Sequence, residues 1–315
     1  MTNPSLEAVN LSKVYGSFTA LSNLNLKIEG AKCVGFLGPN GAGKTTTLKI
    51  FTDLIRPSSG HAFINGANVH THKKQALGSV GTVIETPEMY PSSTPRLALN
   101  VIAEMRGVPH AERKKKIEEV VAEVGMSEWI DKRVGKFSKG MKQRICIASA
   151  LLSDPTIVLL DEPTTGLDPR GMSEVRDIVK TLKKKDRLIF MSSHILSEVE
   201  DVCDEVAMID HGKLLVYDTL ANVTAKFSGG ANIIEVGLSR PIDAATVQNR
   251  IAKISGVVSA QMKDSTNLII KSGEGASVQE SILGDLVGMR IGVIRFSPAS
   301  SALEESYLNL IKDTL

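Results

Sequence analysis

A glycine-rich stretch, Gly38-Pro39-Asn40-Gly41-Ala42-Gly43, follows the apolar run Val34 to Leu37 and leads straight into Lys44-Thr45-Thr46. The spacing is Gly, four residues, Gly-Lys-Thr, and each residue type has a chemical reason to stand there. Glycines let the backbone curl so that successive N–H groups point inward at the oxygens of a phosphate. A helix that starts at Lys44 turns its positive end on the same anion. The Lys44 ammonium reaches the β and γ phosphates, and the Thr45 hydroxyl is a ligand for Mg²⁺. Residues 38 to 46 therefore form a candidate triphosphate site. A dinucleotide fingerprint fits less well, because Gly-x-Gly-x-x-Gly does not occur in the chain.

A second segment supplies carboxylates. Thr156-Ile157-Val158-Leu159-Leu160 is apolar up to Asp161-Glu162. An Asp-Glu pair by itself is most often a solvated strand end. With an apolar strand before it and the phosphate loop upstream, it becomes a metal and water site. Asp161 is suited to hold Mg²⁺ through water, and Glu162, one residue further, to polarise an attacking water. The apolar run Leu188 to Met191 leads through Ser192-Ser193 to His194. At a strand end beside the other two, His194 can donate to a γ-phosphate. The other five histidines read as ordinary surface residues; His70 and His72 lack a further metal ligand.

For these segments to meet, their apolar runs must be neighbouring strands. Ile157 to Leu160 is apolar at successive positions, as in a parallel strand buried on both faces. Strands alternating with helices argue for an α/β domain. Glu205 to Ile209 and Lys213 to Tyr217 flank the turn Asp210-His211-Gly212 and read as a strand pair. Ser92 to Phe137 holds two helical patterns and no convincing strand, so it is read as a helical insert, the subdomain running over about 92–152. Ser228-Gly229-Gly230 reads as a linker. Beyond it the pattern is strand Ile233 to Leu238, helix Ala244 to Ile254, strand Val257 to Lys263, strand Asn267 to Lys271, helix Val278 to Val287 and strand Ile291 to Phe296. That β-α-β-β-α-β order is ferredoxin-like. A last helix, Ser301 to Lys312, follows. The expected organisation is an α/β cassette over 1–228 and a small α+β domain over 231–315.

Composition excludes several classes. The 315 residues are 42% hydrophobic, enough for a sizeable core, and carry a net charge of +2, which argues for no general polyanion binder. Cys33, Cys146 and Cys203 have no metal-ligand spacing and are odd in number for a disulfide framework; a reducing cytoplasm is the simplest setting. No run approaches the roughly 20 apolar residues needed to span a bilayer. A spanning partner, if the chain serves a membrane, is a separate polypeptide.

One further segment carries a resemblance. Phe137-Ser138-Lys139-Gly140-Met141-Lys142-Gln143-Arg144 is similar to the Leu-Ser-Gly-Gly-Gln signature of the ATP-binding subunits of ABC transporters. Ser and Gly at a helix N-terminus make an anion site, although in isolation they are simply an N-cap. The resemblance runs over roughly residues 6 to 220, with the motifs in the family's order. It implies a P-loop ATPase cassette that binds ATP and Mg²⁺ and pairs head to tail with a second cassette, a homodimer being the simplest case. Ser138, Gly140 and Met141 of each chain would then close over the ATP held by the other. Asp168, in Glu162-Pro163-Thr164-Thr165-Gly166-Leu167-Asp168-Pro169, would lie at that interface. Tyr15 matches the aromatic residue that stacks on adenine, against the plainer reading of strand packing. Where most members have a glutamine, this chain has Glu85, a further candidate metal ligand. The variant signature, the added C-terminal segment and Glu85 resemble exporters of drugs, bacitracin and lantibiotics. The implied location is the cytoplasmic face of the cell membrane, through a separate permease subunit.

Two other functions are weighed against this one. Soluble cassette ATPases of translation usually carry two cassettes per chain, and those of DNA repair insert long coiled coils, for which Gly43 to Ser138 is too short and lacks sustained heptads. The basic runs Arg113 to Lys116 and Lys183 to Lys185 are the only hints of nucleic acid and read as solvated helix faces. A regulatory module without hydrolysis is opposed by intact Lys44, Asp161, Glu162 and His194.

Overall fold

Two long antiparallel strands, Ser5–Tyr15 (β1) and Phe18–Glu29 (β2), open the fold. Along β2, Leu24, Leu26 and Ile28 are buried while Asn25, Lys27 and Glu29 are exposed, the period-two pattern of a sheet with one wet face. The chain then enters Cys33–Leu37 (β3), whose five residues are all buried, and Lys44–Phe51 (α1). It returns to the first sheet through Ser59–Ile64 (β4) and Ala67–Asn68 (β5), giving the order β2-β1-β4-β5. Strict alternation of strands and helices is not what this region adopts; the alternation of β1 and β2 was the overlooked signal. The computed structural model describes residues 3–85, 89–227, 232–243, 250–273 and 275–298.

The second sheet is built from β3 with Val80–Val83 (β6), Ile157–Leu160 (β7), Leu188–Ser193 (β8), Glu205–Asp210 (β9) and Lys213–Thr219 (β10). Its order is β10-β9-β3-β8-β7-β6, parallel throughout except for the β9–β10 hairpin. The helices between these strands are Lys73–Leu77 (α2), Pro95–Met105 (α3), His110–Glu123 (α4), Lys139–Leu151 (α5), Pro169–Lys183 (α6) and Leu196–Val202 (α7). Among the described residues of 89–137 there is no strand, and α3 and α4 account for the two helical patterns there. Thr94 caps α3 by accepting from the Leu97 N–H, with Pro95 at the first helical position.

One face of the parallel strands, including Phe36, Leu159 and Phe190, joins Leu48 and Phe51 of α1 and the inner face of the first sheet in one core. The Phe190 ring meets Phe36 at 5.1 Å and Phe51 edge-on at 6.3 Å. Each fully buried ring of this kind is worth about 1.5–3 kcal/mol relative to exposure. On the other face α7 packs so closely on β3 that a Cβ at Gly35 would lie 2.5 Å from Val199 Cγ1. There Cys33 and Cys203, both buried, bring their sulfurs to 3.6 Å, a proximity that sequence separation hides.

Residues 1–219 form one compact unit and 220–315 another. The division falls ahead of Ser228-Gly229-Gly230, which lie outside the described residues. The second unit holds Leu220–Phe227 (α8), Asn232–Leu238 (β11), Val257–Met262 (β12), Asn267–Ser272 (β13), Ala276–Gly288 (α9) and Val293–Pro298 (β14). Its strands are all antiparallel in the order β12-β13-β11-β14 around a separate core that includes Val236, Ile270 and Leu286. Of the expected helix Ala244 to Ile254, residues 244–249 lie outside the described residues, and Ile251–Lys253 form a 3₁₀ turn. The expected helix Ser301 to Lys312 lies wholly outside them.

Candidate functional site

Three strands end side by side at the site. The order β3-β8-β7 brings together the loop after Leu37, the segment Ser192-Ser193-His194 and the pair Asp161-Glu162, at the carboxyl edge of the sheet where ligands of such sheets bind. The loop depends on its glycines. Gly41 and Gly43 have φ of 85° and 107°, and a Cβ at Gly43 would meet the Ala20 carbonyl oxygen at 2.6 Å. Lys44, the first residue of α1, is buried, and its Nζ donates to the carbonyls of Gly38 at 2.8 Å and Pro39 at 3.1 Å. The same ammonium stands 3.2 Å from Glu162 Oε1.

Around the carboxylates the partners are specific. Asp161 Oδ1 accepts from the Thr45 hydroxyl at 3.1 Å and from the Ser192 hydroxyl at 2.6 Å. Ser192 Oγ in turn accepts from the Glu162 N–H at 2.9 Å, so one hydroxyl ties the two acidic residues to β8. Glu162 has a left-handed φ of 43°. Its Oε2 accepts from Thr165 Oγ1 at 2.8 Å and lies 3.1 Å from His194 Nδ1. Burial pushes the Glu162 carboxyl up, but the Thr165 hydroxyl, the Lys44 ammonium and His194 outweigh that and hold it below the ordinary glutamate range. The carboxylate is therefore ionised at neutral pH and able to accept a proton. Ser192 and Thr165, which bond to these carboxylates, are candidate site residues that motif reading missed; only Ser192's place before His194 hinted at it.

A cleft of about 200 Å³ runs from this centre to the β1–β2 hairpin, lined by Asn40, Lys44, Thr45, Thr46 and Glu162 at one end and by Tyr15 and Phe18 at the other. Thr45 and Asp161 offer only oxygens, the donor set a hard divalent cation such as Mg²⁺ prefers. Glu85 stands apart from them. It is 69% exposed and pairs with Lys49 Nζ at 2.5 Å, and Lys49 lies one helical turn beyond Thr45 on α1. His70 faces Asp53 and His72 faces Thr71, with no cluster of three metal-ligating side chains among the described residues.

Ser138 and Asp168 head two adjacent helices. Ser138 Oγ accepts from the Met141 N–H at 3.2 Å to cap α5, and Asp168 Oδ1 accepts from the Gly171 N–H at 2.8 Å to cap α6. A Cβ at Gly140 would lie 3.3 Å from Gly171 Cα, so the two helix starts touch through bare backbone. Ser138, Met141 and Asp168 line a second cavity of about 480 Å³, which shares no lining residue with the first. Of the basic runs, Arg113 is engaged by Glu104, Lys115 by Glu119 and Lys185 by Glu123.

The family model described as ABC transporter matches residues 21–165, and a second, of an AAA domain, matches 131–200. The bacitracin transport ATP-binding protein of Bacillus licheniformis is 44% identical over 67% of this chain and 68% of its own length. The lantibiotic transport ATP-binding protein of Streptococcus pyogenes is 39% identical over 71% and 96%. The linearmycin resistance ATP-binding protein of Bacillus subtilis (strain 168) is 30% identical over 98% and 99%, so the likeness extends through the second unit. Among solved structures, an ATP-binding subunit of an ABC transporter superposes with a TM-score of 0.63 at 29% identity, covering 71% of this chain and 93% of that one.

Proposed function

Because this chain belongs to the ATP-binding subunits of ABC transporters, we propose that it drives export of a bacitracin-like or lantibiotic-like antibiotic through a separate membrane-spanning permease. The chain is an ATPase; the proposal concerns what that ATPase serves and which residues do the work. Support for export comes from relatives whose names refer to bacitracin transport, lantibiotic transport and linearmycin resistance. Support for a separate permease comes from the surface. No described helix is long and apolar enough to cross a membrane. On α3, Leu97, Val101 and Met105 recur every fourth residue and are 61%, 57% and 82% exposed, an apolar face left open among the described residues of its own unit. The location proposed is the cytoplasmic face of the membrane, on the strength of the family alone.

The observation that carries the reading is the separation of the two cavities. Lys44, Thr45 and Glu162, with Asp161 bonded to Thr45, make one half of a site and Ser138, Met141 and Asp168 the other, and the two cavities share no lining residue. A second cassette, placed head to tail, completes both. In each composite site the loop N–H groups and Lys44 bind the phosphates, and Glu162 takes a proton from the attacking water. His194 orients that carboxylate and faces the γ-phosphate. Thr45 and Asp161 would hold Mg²⁺, which when bound neutralises phosphate charge. Disruption of the gene in its host should sensitise cells to bacitracin or to a lantibiotic, with resistance restored by the wild-type gene and not by Glu162→Gln. Unchanged inhibitory concentrations for both classes would remove the export reading.

Glu85 fits the same site if it exchanges partners. Side chains four residues apart on a helix lie about 5–6 Å apart at their Cβ atoms. Lys49, the partner of Glu85, lies one turn from Thr45 on α1, and Glu85 is proposed to leave Lys49 for Mg²⁺ or its water shell when ATP is bound. A carboxylate there is a stronger ligand than an amide for Mg²⁺ and adds a charge that Lys49 balances when the site is empty. Glu85→Gln should keep ATP binding but shift its Mg²⁺ dependence, and Glu85→Ala should lower turnover further. The measurement is ATP affinity and turnover against Mg²⁺ concentration for the three chains. Superimposable curves would leave Glu85 as a partner of Lys49 alone.

A further inference from the structure

Phe18 keeps a large apolar ring in water at the mouth of the nucleotide cleft. It is 59% exposed, whereas Phe36, Phe51 and Phe190 are fully buried. Burial of such a ring is among the larger gains available to a fold, and Phe18 forgoes it. Its position is set by the hairpin. Tyr15 and Phe18 are register partners across the two-residue turn Gly16-Ser17, and Gly16 supplies the left-handed φ of 59° that the turn requires. Partners across an antiparallel pair project from the same face. Both rings therefore stand on one side of the hairpin, and both line the cleft that contains Lys44, Thr45 and Glu162. Tyr15 is held from one side by Lys13, whose Nζ lies 4.9 Å from the ring centroid and is itself anchored on the Arg56 carbonyl at 2.7 Å.

A nucleoside triphosphate whose phosphates lie on the loop extends its base toward this hairpin. Resemblance assigns the base to Tyr15 alone. We infer that Phe18 is a second base-contacting residue, so that the hairpin is a two-ring apolar platform on which the base is received. This rests on the reading of the cleft as the nucleotide site. The chemistry is that of a flat π-face against a flat base, which any aromatic side chain supplies and an aliphatic one does not. A ring without a polar handle suits that task and no hydrogen-bonding one, and its exposure in the free chain follows, since the base is what covers it.

The test compares two ligands that share phosphates but not a base. Wild type, Phe18→Ala, Phe18→Tyr and Tyr15→Ala are titrated calorimetrically with ATP and with inorganic tripolyphosphate. For Phe18→Ala the ATP dissociation constant should rise about five- to tenfold, the lower part of the range for loss of one stacking ring, while that for tripolyphosphate stays within about twofold. Phe18→Tyr should restore most of the loss. An ATP affinity for Phe18→Ala within about twofold of wild type would overturn the inference, and so would equal weakening of both ligands, which marks a displaced phosphate loop. A wild-type chain that binds tripolyphosphate as tightly as ATP overturns the base site altogether, Tyr15 included.

Discussion

Glu162→Gln is expected to bind ATP and hydrolyse it about 10²–10⁴-fold more slowly than wild type, the usual contribution of a general base. The geometry leaves few other candidates. Asp161 accepts from the hydroxyls of Thr45 and Ser192, and with Thr45 it makes up the oxygen set proposed for Mg²⁺. Glu162 alone of the two carboxylates touches Lys44, Thr165 and His194 together. Those donors hold it below the ordinary glutamate range, so it is ionised at neutral pH, the form a base must have. An amide keeps the shape and the hydrogen bond from Thr165 but cannot take the proton. It also removes a negative charge from beside the γ-phosphate, so the nucleotide-bound pair of cassettes should persist longer. Turnover and dimerisation are measured on the same preparation, by phosphate release and by size-exclusion chromatography with ATP. A variant that retains most of its turnover would show that the base lies elsewhere.

Mixing two dead chains should restore activity. Ser138→Arg puts a long cation into the cavity that Ser138 shares with Asp168 and removes the cap on α5. Lys44→Ala removes the ammonium from the phosphate loop. Each alone should be inactive, because a dimer of either carries the lesion in both composite sites. In a mixed dimer both lesions fall in one site, and the other site is intact. Random pairing makes half of the dimers mixed, each with one of two sites whole, so recovery should approach about a quarter of wild-type turnover if single sites act independently. Recovery also shows that the Ser138→Arg chain folds, although loss of an N-cap costs about 0.5–2 kcal/mol. Full activity of Ser138→Arg by itself would refute the composite site, and so would a mixture as inactive as its components.

The division between sequence and tertiary structure follows from how far each feature reaches along the chain. Local features were legible. The loop from Gly38 to Thr45 is contiguous, and the positive φ values of Gly41 and Gly43 are consequences of residue type. Ser138 caps its helix through a side chain three residues from the N–H it accepts from, a local pattern legible without a fold, whereas Asp168, which caps α6 in the same way, was picked out only by the resemblance of its segment. The apolar strands β3, β7 and β8 announced themselves by unbroken hydrophobicity. What the sequence could not order was the strands themselves, since burial on both faces makes each an equal candidate for any central place. The order β3-β8-β7 decided that Ser192 would bridge Asp161 and Glu162 and that Lys44 would meet Glu162. Glu85 illustrates the same limit: its motif position suggested a metal, and the approach of α1 to the end of β6 supplied Lys49 as its partner. Phe18 was unreadable because a phenylalanine beside a turn is ordinarily core, and only the hairpin's register and its place against the phosphate loop left that ring in the open.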